Sequence, residues 1–221
     1  MPDPKLQIAA RRIAGLRGSV STSHSILVAV SGIDASGKGF ITAQLASGLE
    51  AHGLRTAVIN TDGWLNLPHI RFGDSEQGAH FYAHAFRFGA LFNELVFPLQ
   101  KRRSLRLTML YAEETATAYR SHTYDFKNID VILLEGIFLL KREFQHRYDL
   151  SIWIDCGFET ALERAIARAQ EGLTPEQTIA AYRKIYFPAQ ALHFERDDPQ
   201  AAAGLTLKND PRSASPGEFN P

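Results

Sequence analysis

The 221-residue chain reads as an α/β domain, with a mainly parallel sheet between layers of helix. Three observations carry that expectation. The run "SILVAVSG", Ser25 to Gly32, is almost continuously apolar, as a parallel strand covered on both faces must be. It feeds into "GIDASGKGF", Gly32 to Phe40, a glycine loop followed by helical spacing at Ile41, Leu45 and Leu49. Two later apolar runs end in acids, "LRTAVINTD" at Asp62 and "DVILLEG" at Glu135. Strand, glycine loop and helix together predict the three-layer P-loop NTPase fold, in a chain long enough to add a helical lid.

In chain order, Leu6, Ala9, Ala10, Ile13 and Leu16 recur at helical spacing and predict an N-terminal helix within residues 1–20. A kinase-like domain is expected over 21–208. Gly53 marks the end of the helix that follows the glycine loop. Between Asp62 and Asp130 the pattern changes. "GAHFYAHAFRFGALFNELVFPLQKRR" predicts one long aromatic-rich helix, and "SLRLTMLYAEETATAYRSHTYDF" predicts short strands, in a segment suited to substrate recognition.

"LSIWIDC" reads as a fourth strand, and helical signals return from Glu159 to Gln170 and after Thr174. Thr174-Pro175-Glu176-Gln177 has a capping residue, proline at the first helical position and glutamine three residues after the cap. "LTLK", Leu205 to Lys208, is a last edge strand. Residues 209–221 carry turn formers and little apolar surface, so a flexible tail is expected there.

Lys plus Arg balances Asp plus Glu at 24 each, which gives no electrostatic reason to expect nucleic acid or an anionic membrane as partner. The single cysteine, Cys156, excludes an intramolecular disulfide and a cysteine-cluster metal site, and reads as a small buried hydrophobe. The N-terminus lacks the apolar core of a secretory signal, and no run is long enough to cross a bilayer. The expectation is a soluble, cytoplasmic protein. Self-association stays open.

A P-loop works because backbone N–H groups converge on phosphate oxygens at the positive end of a helix. Gly32, Asp34, Ala35, Ser36, Gly37, Lys38, Gly39 and Phe40 are the candidate nucleotide-binding residues. The glycines permit close approach and Lys38 supplies a mobile charge for the β- and γ-phosphates of ATP. Gly39 stands where the motif calls for Ser or Thr, whose hydroxyl touches Mg2+. Phe40 offers no oxygen in its place. Magnesium keeps several waters, so the missing hydroxyl need not be fatal.

Open parallel sheets bind ligands at the carboxyl ends of their strands, where Asp62 and Glu135 fall. One can hold magnesium and the other can accept a proton from an attacking hydroxyl. The bland alternative is that each caps a turn.

Over roughly residues 25 to 208 the sequence resembles the uridine kinase and phosphoribulokinase group of P-loop kinases. The likeness rests on "GIDASGK" after the first strand, "TDGW" after the second, "YDF" before the third, and "DVILLEGIFLL" including it. It implies that Asp62 is the catalytic base or a magnesium partner, with Trp64 as its usual aromatic neighbour, and that Glu135 is the acidic end of the Walker-B strand. It further implies that Tyr124 and Asp125 line the acceptor pocket, and that Arg164 and Arg168 sit in a phosphate-sensing lid. These arginines are four residues apart, on one helical face, where a solvated stripe paired with Glu163 and Glu171 is the plainer reading. The group's "R-x-x-R-D" lid motif is not reproduced, and Lys127, Asn128 and Ile129 follow "YDF" where uridine kinases place a base-reading histidine.

The resulting expectation is an ATP-dependent phosphotransferase acting on a small-molecule hydroxyl acceptor, a nucleoside or a sugar. Two rivals remain at this level. One is a nucleotide-binding regulatory protein without turnover, and the other is a nucleotide hydrolase coupled to a protein or RNA partner.

Overall fold

The computed structural model of the protein describes residues 4–169 and 172–213. Its strands are β1 (Ile26–Gly32), β2 (Thr56–Asn60), β3 (Leu105–Tyr111), β4 (Arg120–Phe126), β5 (Val131–Gly136), β6 (Leu150–Asp155) and β7 (Leu205–Lys208). Five of them form a parallel sheet in the order β2-β5-β1-β6-β7. β3 and β4 pair separately as an antiparallel hairpin. Register sets Ser31 beside Gly136 and Gly32 beside Ile154, so three strand ends meet at the glycine loop.

Both faces of the sheet are covered, which is why β1 and β5 are buried at every position. Alternate residues point to opposite faces. Ile26, Val28 and Val30 pack with Leu6, Ala9, Ile13, Leu45 and Leu49 of two helices, α1 (Pro4–Ser19) and α2 (Lys38–Ala51). Leu27 and Ala29 face a larger cluster that includes Trp64, Phe81, Phe138 and Trp153. Truncating a core residue such as Ile13 to alanine should cost about 2–5 kcal/mol.

The expected long helix over 78–103 is broken. Gln77–His84 is one helix, and the chain then extends so that Phe86 bridges Leu65 and Arg87 N–H donates to the Trp64 carbonyl at 2.9 Å. Helix resumes at Phe88 and runs through a π turn, Leu91–Val96, into Phe97–Arg102. Pro98 follows this turn, as Pro188 follows a second π turn at Tyr182–Tyr186. A proline ring crowds the carbonyl four residues back and offers it no N–H, and the wider π turn accommodates both effects.

Three other expectations shift. β2 stops at Asn60, and Asp62 lies beyond it in a 3-10 turn, Thr61–Gly63. The helix read to Gln170 is Phe158–Arg168, and Gln170 itself lies outside the described residues. The tail expected from 209 begins too early, because Asn209 N–H donates to the Asp155 carbonyl at 2.8 Å and Asp210 accepts from Gly157 and Thr160. Residues 214–221 lie outside the described residues. The Thr174 capping box forms as read. No helix among the described residues is long and apolar enough to cross a membrane.

Candidate active site

The loop from β1 to α2 closes on itself before the helix begins. Ser36 N–H donates to the Ile33 carbonyl at 3.2 Å, and Asp34 Oδ1 accepts from Ala35 N–H at 2.8 Å. Gly37 has φ 87°, the left-handed region, and any Cβ there would run into the Asn209 side-chain amide. Lys38 is buried and its Nζ donates to the Ile33 carbonyl at 3.3 Å. The first-turn N–H groups, Lys38 to Phe40, have no partner within the helix and give it an anion-binding end.

The loop is held from behind. The Ser36 carbonyl accepts from Arg164 Nη1 at 3.1 Å and from Asn209 Nδ2 at 2.7 Å, while Arg164 Nη2 donates to the Asn209 carbonyl at 2.9 Å. Arg164 therefore braces the loop from the helix Phe158–Arg168, with its guanidinium turned onto carbonyls. One turn on, Arg168 Nη2 comes within 3.8 Å of Asp34 Oδ1. The Tyr182 hydroxyl donates to the other Asp34 oxygen.

Asn60 Oδ1 accepts from Asp62 N–H at 2.7 Å and sets the turn that carries this half-buried acid. Glu135 is only 4% exposed. A Cβ built at Gly39 would stand 3.9 Å from Glu135 Oε2, so the missing hydroxyl's position and this carboxylate are neighbours. Burial pushes Glu135 up to about 7, Lys38 pulls it back, and Asp62 and Asp34 push it further. Burial likewise raises Asp62, against Lys38 and with Asp34. Lys38, Asp34, Asp62, Glu135 and Arg168 thus share one electrostatic field.

Among the described residues no three His, Cys, Asp or Glu side chains converge as a metal site. The donors do fit a magnesium ion that arrives with phosphate, being hard oxygens throughout. Besides Asp62 and Glu135, the buried hydroxyls Ser36 Oγ and Thr61 Oγ1 make no hydrogen bond among the described residues, whereas Thr42 Oγ1 is spent on the Lys38 carbonyl at 2.8 Å. Phe40 is 70% exposed and contributes only apolar surface.

The acceptor residues implied by the resemblance take different positions. Trp64 is buried, stacks on Tyr124 and donates Nε1–H to the Tyr124 hydroxyl at 3.1 Å, joining the acid-bearing turn to the hairpin. Asp125 is exposed and lies 3.9 Å from Arg106. The cavity beside Asp62 and Asp34, about 390 Å³, is lined instead by Leu65, Arg71, Phe81, Phe86, Glu114 and Tyr186, among others. None of these six carried a sequence signal for the site. They come from four stretches, 65–71, 81–86, 114 and 186, that meet only in the fold, and the nearest clue was the general expectation that the 62–130 region handles substrate.

No family model matches the chain. Uridine kinases of Staphylococcus aureus, strains JH9 and Newman among them, are 27% identical over 168 residues, covering 73% of this chain and 78% of theirs. The chain is thus similar to uridine kinases over about three quarters of its length. A possible uridine kinase from Bacillus stearothermophilus superposes with a TM-score of 0.68 at 19% identity, covering 90% of this chain and 99% of that one. D-glycerate 3-kinase from Cryptococcus neoformans var. grubii gives 0.64 at 15% identity, covering 86% and 88%. At those identities the structures speak for the fold, which is that of the P-loop kinases.

Proposed function

We propose that this kinase-family protein transfers the γ-phosphoryl group of ATP to a hydroxyl of a small metabolite, a nucleoside or a sugar, in the cytoplasm and without a nucleic-acid partner. The observation that carries the reading is the shared field of Lys38, Asp62 and Glu135, in which Asp62 also lines a cavity of about 390 Å³. Lys38 and the first-turn amides of α2 neutralise phosphate charge. Asp62, its basicity raised by burial, takes the proton of the acceptor hydroxyl as that oxygen bonds to the γ-phosphorus and the bond to ADP breaks. Asp62 and Glu135 are the residues that would hold a magnesium ion arriving with ATP, which would supply positive charge to the phosphates. Arg168 faces the transferring group from the lid, and Arg164 acts through the loop it braces.

Acceptor-dependent ADP release tests this, with ATP and Mg2+ against uridine, other nucleosides and sugars. Asp62→Asn should bind ATP within about 3-fold of wild type and lose turnover by about 10²–10⁴-fold. Lys38→Ala should lose nucleotide binding. Tight ATP binding with no acceptor-dependent turnover across the panel, or full activity in Asp62→Asn, would overturn the reading.

A further inference from the structure

Arg71 is 4% exposed, yet it lines the cavity that holds Asp62. Its guanidinium lies 5.0 Å from the centre of the Phe72 ring, and Leu65, Phe81, Phe86 and Ile137 complete the apolar walls. Nη1 donates to the Asn66 carbonyl at 2.8 Å and Nη2 donates to the Glu114 carbonyl. Both acceptors are neutral. Among the described residues no carboxylate forms an ion pair with Arg71, although the Glu114 carboxylate is near enough to favour its charge. Burial works against that charge.

An arginine is tolerated in such a place when an anion completes it, because an unpaired buried cation is costly and the planar guanidinium matches a carboxylate or phosphate. Its end nitrogens are already oriented by two carbonyls, so little side-chain freedom would be lost on binding. The other acids of the cavity are engaged. Asp34 faces Arg168 and Tyr182, and Asp62 faces Lys38.

We infer that the acceptor carries a carboxylate or phosphate, held by Arg71, while its hydroxyl meets Asp62. This rests on the kinase reading above and narrows it away from neutral nucleosides. At about 390 Å³ the cavity is near the lower end of ligand pockets, roughly 300–1,000 Å³, which suits a small hydroxy acid or sugar phosphate.

The test is a wild-type panel of matched acceptors: glycerate against glycerol, gluconate against sorbitol, ribose 5-phosphate against ribose, and uridine. The charged member of at least one pair should exceed its neutral partner in kcat/KM by about 10- to 100-fold, the size of a charge-assisted hydrogen bond. The two acids and the sugar phosphate separate carboxylate from phosphate. Arg71→Met should remove that advantage while leaving the ATP dissociation constant within about 3-fold, and Arg71→Lys should restore part of it. Should Arg71→Met fail to fold, the wild-type panel and Arg71→Lys still decide. Preference for uridine or neutral polyols, or an anionic preference indifferent to Arg71, would overturn this inference alone. No turnover with any acceptor would overturn the kinase reading and this inference with it.

Discussion

On the proposed phosphate side of the site the loop is one run of nine consecutive residues, Gly32 to Phe40, and hydrogen bonds from Arg164 and Asn209 fix its shape. On the proposed acceptor side, single residues from separate segments make the surface, and apolar packing among Leu65, Phe81, Phe86 and Ile137 fixes it. Triphosphate presents the same charges whatever the acceptor, so a short contiguous device serves it. An acceptor's shape is particular, and a wall assembled from many segments can be altered one residue at a time. The first side should therefore be brittle to small backbone changes and the second tolerant of them.

The strongest way to break that contrast is Gly37→Ala. A left-handed φ costs an L-residue about 1–2 kcal/mol and the collision with Asn209 about 1–3 more. Urea denaturation should show a loss of about 4 kcal/mol, and ATP titration a matching loss of affinity. Wild-type stability in this variant would mean that the loop is not held as described.

Glu135 lies where the two sides meet, and its carboxyl supplies a pH test on metal-free protein. Its value of about 7 in the fold exceeds the ordinary 4.5. Between those values the unfolded chain has released the proton and the folded chain has not, so stability falls as pH rises through that window and levels off above it. The contribution is about 3 kcal/mol. Glu135→Gln should match wild type near pH 4.5 and exceed it by about that amount at pH 8. Equal pH slopes in denaturant melts of the two proteins would remove this account of Glu135.

The mildest test lies on the hairpin. Tyr124→Phe deletes the acceptor of the Trp64 indole N–H and should cost about 1–2 kcal/mol, with ATP affinity unchanged. A change in nucleotide affinity would show that the hairpin and the glycine loop are coupled, and the comparison would need redrawing.

The same contrast explains what was legible in the sequence. β1, the glycine loop and α2 announce themselves locally, through an apolar run, a spaced motif and a helical face. So does the Thr174 cap, because its partners lie three residues away. The break at Phe86 has no local cause, since it depends on Leu65 arriving alongside. Arg164 read as a lid arginine, or as part of a solvated stripe, and its role as a brace was hidden because its partner, Ser36, is 128 residues distant. Arg71 sits in "PHIRF", where nothing marks an arginine destined for burial.

The doubly held Ser36 carbonyl has a consequence for how the molecule is made. Synthesis delivers the cradle residues early, whereas one support sits at 164 and the other at 209, 173 residues after Ser36. A chain still emerging from the ribosome therefore has the glycine motif without its finished shape. Both supports arrive with the second half of the sheet, Asn209 directly after β7, so the loop's final shape depends on the C-terminal part of the chain.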